Sequence, residues 1–479
     1  MSDTLDSRKR WLALVVLCLG TLMIVLDTTI VNVALPSIRA DLGFSEASLA
    51  WVVNAYLLTF GGFLLLGGRL GDLFGHRKLF VGGIAAFTLA SLACGVATTQ
   101  TVLVAARAAQ GLGGAVVSAV ALSLMMNLFT ESGERAKAMG VFGFVSSAGG
   151  SIGVLLGGVL TSSLTWHWVF LVNLPVGILV IALAFWLLPK ARVSVPDTRL
   201  DVGGAVTVTA SLMLAVYAIV NGNIVGWGST QTVGLLGVAA ALFVAFLVIE
   251  ANVRSPLMPL GLFRSRNVST ANVVGVLWAA AMFAWFFMAA LYLQLVLGYT
   301  PMQIGLAFLP ANLIMAAFSL GLSARIVMKF GIRGPLAAGL LIAASSLALF
   351  ARAPVDGTFW VHVFPSMILL GVGAGIAFNP MLLAAMSDVP AEESGLASGV
   401  VNTAFMMGGA LGLAGLASLA AARTSSLQAA GVETVQAING GYQTAFAVGA
   451  LLAATGALLG ATLIKGRGSL HGPHGGHAL

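Results

Sequence analysis

Charge is what this sequence has least of: only 8% of its 479 residues are Asp, Glu, Lys or Arg. A soluble domain of this length could not solvate its surface with so few charges, so a soluble globular chain is excluded. Cysteine is nearly missing as well. Cys18 and Cys94 each lie inside an apolar run, which leaves no disulfide framework and no thiolate metal centre, and they read as small buried side chains. No nucleophile–base set, phosphate-binding loop or metal-ligand spacing occurs within the apolar runs, so nothing argues for an enzyme or a cofactor. The net charge of +7 comes from short basic clusters between apolar runs. There Lys and Arg act as orientation signals, and no nucleic-acid partner is implied.

What the chain does contain is hydrophobic residues, 59% of the total. They fall into fourteen candidate spans that begin near Trp11, Leu49, Leu79, Thr101, Ala138, His167, Val202, Ser229, Thr270, Ile304, Pro335, Phe359, Leu396 and Tyr442. The fold class is therefore an all-α polytopic membrane protein. The basic cluster Ser7-Arg8-Lys9-Arg10 precedes a run too long for a secretory signal and without a small-residue cleavage site, so it reads as a retained first span. With the N-terminus in the cytoplasm, all of the 23 Lys and Arg except Arg39, Arg107, Arg352 and Arg423 fall on the inner side. Dropping one span would put Arg264 with Arg266, or Lys465 with Arg467, on the wrong face.

The chain also resembles itself at an offset of roughly 256 to 260 residues. Residues 68–77 align with residues 324–333, and Gly140, Gly149, Gly150 and Gly153 align with Gly399, Gly408, Gly409 and Gly412. Copies with the same membrane orientation need an even number of spans between them, which gives two parallel six-helix bundles. The expected division is 1–190 for the first bundle, 191–266 for two additional helices and their connectors, 267–466 for the second bundle and 467–479 for a flexible tail. His471, His474 and His477 in that tail could bind metal loosely or belong to a disordered terminus.

The functional signals start in the first span with Leu26-Asp27-Thr28-Thr29-Ile30-Val31-Asn32-Val33-Ala34-Leu35-Pro36. A carboxylate so far from either end of a span costs about 2.5 to 3.5 kcal/mol to insert, so Asp27 must face a protein interior or a wet cavity. After the second span comes Gly68-Arg69-Leu70-Gly71-Asp72-Leu73-Phe74-Gly75-His76-Arg77-Lys78. It reads either as a solvated topogenic loop or as a latch in which Asp72 caps a helix or pairs with a base. In the fourth span Arg107, Gln110, Gly111, Gly114 and Ser118 share one helical face. Arg107 is the one base within a span, and it forms either a structural ion pair or a proton relay with Asp27. The fifth span has Gly149, Gly153 and Gly157 on one face with Gly158 beside them, a small-residue stripe that serves packing or gating.

Taken together and in this order, these stretches resemble the major facilitator superfamily over nearly the whole chain. Within it they are similar to the fourteen-span drug:proton antiporter branch, the QacA/EmrB-like transporters. The resemblance rests on residues 26–36 as the first-span signature, residues 68–78 as the loop motif and residues 103–115 as the arginine motif. It implies proton-driven export by alternating access, with Asp27 and Arg107 proton-linked and Asp72 in a cytoplasmic latch. Two positions depart from the branch: Gly153-Val154 stands where Gly-Pro is usual, and His167 stands where an Arg is common.

Candidate substrate contacts are Asn32, Asn54 and Tyr56 in the first half, and Phe283, Phe287, Tyr292, Gln294, Asn379, Asn402 and Met406 in the second. Lipid contact or helix packing is the competing account for each. Because Asp27 is the one acid clearly in mid-span, a neutral, zwitterionic or singly charged amphiphile is expected rather than a dication, exchanged against protons. The expected setting is the bilayer of a bacterial cytoplasmic membrane, with both termini inside, no cofactor and one chain sufficing. Export of an endogenous metabolite or lipid, and a non-transporting sensor or scaffold, are the alternatives.

Overall fold

The computed structural model describes residues 7–129, 131–189, 201–253, 256–318, 322–386, 389 and 394–464. A chain in hydrocarbon must satisfy its backbone polar groups internally, and the described residues do so as helices, with no strand among them. Fourteen long helices follow one another: α1 Ser7–Leu42, α2 Trp51–Phe74, α3 His76–Gly95, α4 Gln100–Leu128, α5 Ser132–Ser163, α6 Asn173–Leu187, α7 Val202–Val225, α8 Thr230–Asn252, α9 Arg266–Leu291, α10 Pro301–Ala317, α11 Arg333–Phe350, α12 Phe364–Met386, α13 Ser394–Ala429 and α14 Thr434–Leu463. Among the described residues, twelve spans are long and apolar enough to cross a membrane, and α5 and α10 contain shorter apolar segments, Ile152–Ser163 and Pro301–Ala317. The widest difference from the sequence reading is at α14, which starts at Thr434 and not near Tyr442. Its first two turns carry Gln436 and Asn439, because a helix runs on past the apolar stretch that inserts it.

Helix packing repeats between the halves. Helix α5 lies along α1 as α13 lies along α9, α3 pairs with α4 as α11 pairs with α12, and α5 crosses to α10 as α13 crosses to α2. Small residues set these contacts. A Cβ at Gly113 of α4 would sit 2.7 Å from the Phe87 amide of α3, and one at Gly373 of α12 would sit 2.5 Å from the Ala343 amide of α11. The additional helices α7 and α8 pack on each other, and α7 rests against α2 and α13.

The stretch 68–78 is mostly helix and not a loop. Helix α2 continues to Phe74, and the turn is confined to Gly75, whose φ of +92° suits glycine. Gly71 is there for packing, since its Cβ would meet Val120 of α4 at 2.9 Å. The side chain of Asp72 lies outside the described residues. Arg77 donates to the Phe185 carbonyl near the end of α6 at 2.5 Å, while Lys78 is exposed. The His-containing tail also lies outside the described residues.

Candidate functional site

Asp27 is fully buried on the face of α1 turned toward α3, α4 and α6, and Arg107 of α4 is 1% exposed beside it. Two ionic groups can be held without water only if nearly all of their hydrogen-bonding capacity is met. Here it is. Arg107 Nη1 donates to Asp27 Oδ2 at 2.5 Å and to Gln110 Oε1 at 2.7 Å, and Arg107 Nε donates to the Val52 carbonyl of α2 at 2.9 Å. Gln110 Nε2 and Asn173 Nδ2 both donate to Asp27 Oδ1, at 2.7 and 3.1 Å. Both amides also donate to Ser91 Oγ of α3, which passes its own proton to the Phe170 carbonyl at 2.9 Å. The guanidinium lies over the ring of Tyr56, 4.5 Å from its centroid, with Phe170 at 5.6 Å on another side.

The arginine and glutamine come together because they are three residues apart on α4. The neighbouring glycines bring α2 within reach: a Cβ at Gly111 would lie 2.5 Å from the Tyr56 carbonyl, and one at Gly114 would lie 3.0 Å from the Tyr56 hydroxyl. Thr59 Oγ1 of α2 donates across this contact to the Ala108 carbonyl at 2.8 Å. Sequence reasoning placed Asp27, Arg107 and Gln110 but missed Ser91 and Asn173. The signal was indirect, since a buried carboxylate with one cationic partner still needs further donors.

Helix α1 has a second face. Thr28, Thr29 and Asn32 point away from Asp27 into a cavity of about 250 Å³ between the halves. The opposite wall is Met282, Phe283 and Phe286 of α9, Asn312 and Met315 of α10, Phe378 of α12 and Met406 of α13, with no charged residue among the described lining. Thr28 and Thr29 bond their hydroxyl protons to Val25 and Leu26 carbonyls, and Asn32 and Asn312 donate to carbonyls four residues back. Their oxygens remain as acceptors toward the space.

Of the proposed contacts, Asn32, Phe283 and Met406 line this cavity. Tyr56 does not, because it stacks under Arg107. Phe287 is core, 1% exposed. Tyr292 and Gln294 lie beyond the end of α9 in a π-helical turn, where the Tyr292 hydroxyl bonds the Pro354 carbonyl at 2.8 Å. Asn54 is fully buried with both amide atoms unpartnered, and Asn379 and Asn402 are half-buried outside the cavity lining.

The glycine stripe of α5 serves both sides of this arrangement. A Cβ at Gly153 would meet the Leu26 carbonyl at 2.9 Å and one at Gly157 the Ile30 carbonyl at 2.7 Å, so α5 lies directly on the turn that holds Asp27. Gly158 faces the other way, onto α10, where its Cβ would be 2.9 Å from the Pro301 carbonyl. Met302 N–H donates to Ser162 Oγ at 2.9 Å at the same end, closing α5 against α10. Val154, where a proline is usual in the branch, is buried in an unbroken α5, and its carbonyl is 2.9 Å from where a Gly305 Cβ would be. His167 stacks on Trp166, whose indole donates to Asp41 at the end of α1 at 2.9 Å.

The family model described as the Major Facilitator Superfamily matches residues 17–413, a region that contains the ion pair and the cavity. The chain belongs to the Major Facilitator Superfamily. It is a transporter of that family and an integral membrane protein, not an enzyme. It is 40% identical over 452 residues to the puromycin resistance protein pur8 of Streptomyces alboniger, covering 93% of this chain and 90% of the relative. It is 39% identical over 416 residues to the cephamycin export protein CmcT of Amycolatopsis lactamdurans, covering 86% and 85%. A crystal structure of the nucleoside transporter NupG superposes with a TM-score of 0.66 over 95% of this chain and all of that one. At 13% identity that likeness speaks for the fold alone.

Proposed function

We propose that this major facilitator protein exports a hydrophobic, antibiotic-like compound in exchange for protons. The observation that carries the reading is the placement of Asp27 and the cavity wall on opposite faces of one short stretch of α1. Proton and substrate then do not compete for one group. A proton on Asp27 removes the charge that holds Arg107 and takes up one of the oxygens that accept from Gln110, Asn173 and Arg107. The turn carrying Asp27 is released from α4 and α6, and Thr28, Thr29 and Asn32 move with it, altering the wall that substrate touches. Contact between the α5 glycines and the α1 backbone gives that movement a close, smooth bearing.

The halves rock about the cavity as alternating access requires, with 1–190 and 267–466 as the moving bodies and 191–266 alongside. All fourteen helices cross a bacterial cytoplasmic membrane, with both termini inside, and one chain is the working unit. The cavity's neutral acceptors, aromatic rings and methionines suit an uncharged or singly charged amphiphile with hydrogen-bond donors. The antibiotics in the names of the two relatives belong to the drug-like class that this reading assigns to the present chain.

The test is drug-driven proton movement in proteoliposomes, using puromycin and a panel of lipophilic antibiotics, with wild type beside Asp27→Asn. Wild type releases protons from a preset pH gradient on addition of a substrate, and Asp27→Asn binds the compound without moving protons. Drug transport in wild type with no proton signal would overturn the antiport, and equal proton flux in Asp27→Asn would overturn the role of Asp27.

A further inference from the structure

A second buried acidic site lies outside the transport path, where α7 begins and α8 ends. Asp201 caps α7, its Oδ1 accepting from the Gly204 amide at 2.7 Å, and it is 5% exposed. Glu250, two residues from the end of α8, is 3% exposed, and its Oε2 accepts from the Met258 amide at 2.9 Å. That leaves one oxygen on each carboxyl. Among the described residues, Asp201 Oδ2 and Glu250 Oε1 have no donor. Both point at the same spot, since a Cβ placed on Gly204 would lie 2.5 Å from the first and 2.7 Å from the second. The two side chains are within hydrogen-bond reach of each other.

Two carboxylate oxygens cannot bond without a hydrogen between them, and two negative charges this close and this buried repel strongly. We propose that Asp201 and Glu250 form a proton-binding site, one proton held between the two carboxyls, that clamps the connector after α8 and releases it when the proton is lost. The site is distinct from Asp27 and does not depend on the antiport reading above.

Among the described residues, the surroundings offer no cation to the pair and leave the proton as the ligand. Glu250 is faced by the Asp201 carboxyl from α7 and by the Met258 and Leu257 amides from the connector. Packed beside Ala205 and Leu257 are Leu66, Phe63, Leu65 and Leu70 of α2, all apolar. Arg69 and Asp72 side chains on α2, and Arg254, lie outside the described residues. Besides the two acids, the elements packed here present no described titratable side chain to the pair. Helix α8 is otherwise poorly buried, with only Thr232, Ala239 and Phe246 joining Glu250, so an ionisable group in its last turns stands out from its setting.

What the clamp holds follows from the connector's contacts. Met258 sits against Leu262, Val268, Ala397 and Val400, a cluster that joins the starts of α9 and α13 to Leu65 of α2. Met258 is thus tethered to Glu250 by its amide and to both halves by its side chain. The sign is set by stoichiometry: the clamped form holds one more proton than the released form, so raising pH favours release by about tenfold per pH unit once the pair titrates.

The test needs no substrate, so its failure is separable from failure of the antiport. Infrared difference spectra of the reconstituted full chain are recorded against pH for wild type, Asp27→Asn, and Asp27→Asn with Glu250→Gln or Asp201→Asn added. Both amide variants keep a hydrogen bond between the two side chains without the proton, so they fold and stay clamped. A protonated-carboxyl band that titrates in wild type and Asp27→Asn, and is lost when Glu250→Gln or Asp201→Asn is added to Asp27→Asn, establishes the site. An Asp27→Asn spectrum with no such band, or a band present in Asp27→Asn that also survives when Glu250→Gln is added to it, overturns it. Hydrogen exchange at Met258, taken as the ratio of wild type to Glu250→Gln at each pH so that intrinsic base catalysis cancels, reads the clamp. A ratio rising about tenfold per pH unit supports release, and a ratio flat with pH overturns it.

Discussion

The two halves of the molecule are built on one plan and filled with opposite chemistry. Gly111 and Gly113 of α4 and Gly371 and Gly373 of α12 make the same close approaches, which puts Met367 where Arg107 stands and Leu370 where Gln110 stands. Likewise Gly83 and Gly339 pair α3 with α11 in register, so that Leu347 replaces Ser91 and Phe350 replaces Cys94. In place of the ion pair, the second half has an aromatic cluster. Trp285 meets Phe308 edge-on at 5.3 Å and Phe350 at 5.9 Å, and Phe350 reaches Phe446 at 5.1 Å. A backbone frame that packs equally well with Met and Leu at those positions does not need the charges for its fold. The first half keeps them at a cost in desolvation, and in the proposed cycle they serve a change of state rather than stability.

The hardest way to break this comparison is to write the second half's residue into the first. Arg107→Met leaves Asp27 buried with its cation gone, and the expected loss is about 3 to 5 kcal/mol. It should appear as a sharply lowered thermal midpoint in detergent and as lost transport. Adding Asp27→Ala should restore most of the midpoint while transport stays absent. If the double variant is as unstable as the single, the charges are structural after all and the halves differ for a reason unrelated to switching.

A smaller effect is expected one step out from the charges. Asn173→Leu removes one of the two amide donors to Asp27 Oδ1 and a donor to Ser91. Hydrogen bonds to a charged group contribute about 1.5 to 3 kcal/mol. The buried ion pair loses that stabilisation, so it should be held less firmly and the thermal midpoint should fall by less than in Arg107→Met. Drug-driven proton flux should fall while drug binding is kept, and an unchanged flux would remove Asn173 from the coupling network.

How much of this was legible in the sequence follows from what each residue needs. A carboxylate and an arginine in mid-span announce themselves, because water is not there to solvate them. The same holds for the fold, where apolar runs, basic clusters and the repeated glycines sufficed to order fourteen helices. Ser91 and Asn173 were not legible, since single polar residues in a span bond to their own helix as often as to a neighbour, as Thr88 does with the Ile84 carbonyl. The aromatic candidates scatter more widely, with Phe283 in the cavity lining and Tyr56, Phe287 and Tyr292 outside it. Phe283 and Phe287 are one helical turn apart on α9, yet Phe283 lines the cavity and Phe287 is core, a distinction set by the exact rotation of the helix. Asp201 and Glu250 are far apart in sequence and flank two spans, so only the hairpin of α7 on α8 brings them together.

The smallest effect is expected from altering the aromatic half. Phe350 packs against Trp285, Tyr292 and Phe446 and is neither a member of the ion-pair network nor one of the residues lining the cavity. Phe350→Leu keeps an apolar side chain in an apolar cluster, and such swaps cost less than about 1.5 kcal/mol. Thermal stability should fall slightly, while proton-coupled transport keeps its wild-type rate and pH profile. A rate that falls well beyond the loss in folded protein would mean that the second half also changes its internal packing during the cycle. In that case the frame would be a moving part, and the contrast between a switching half and a rigid one would have to be given up.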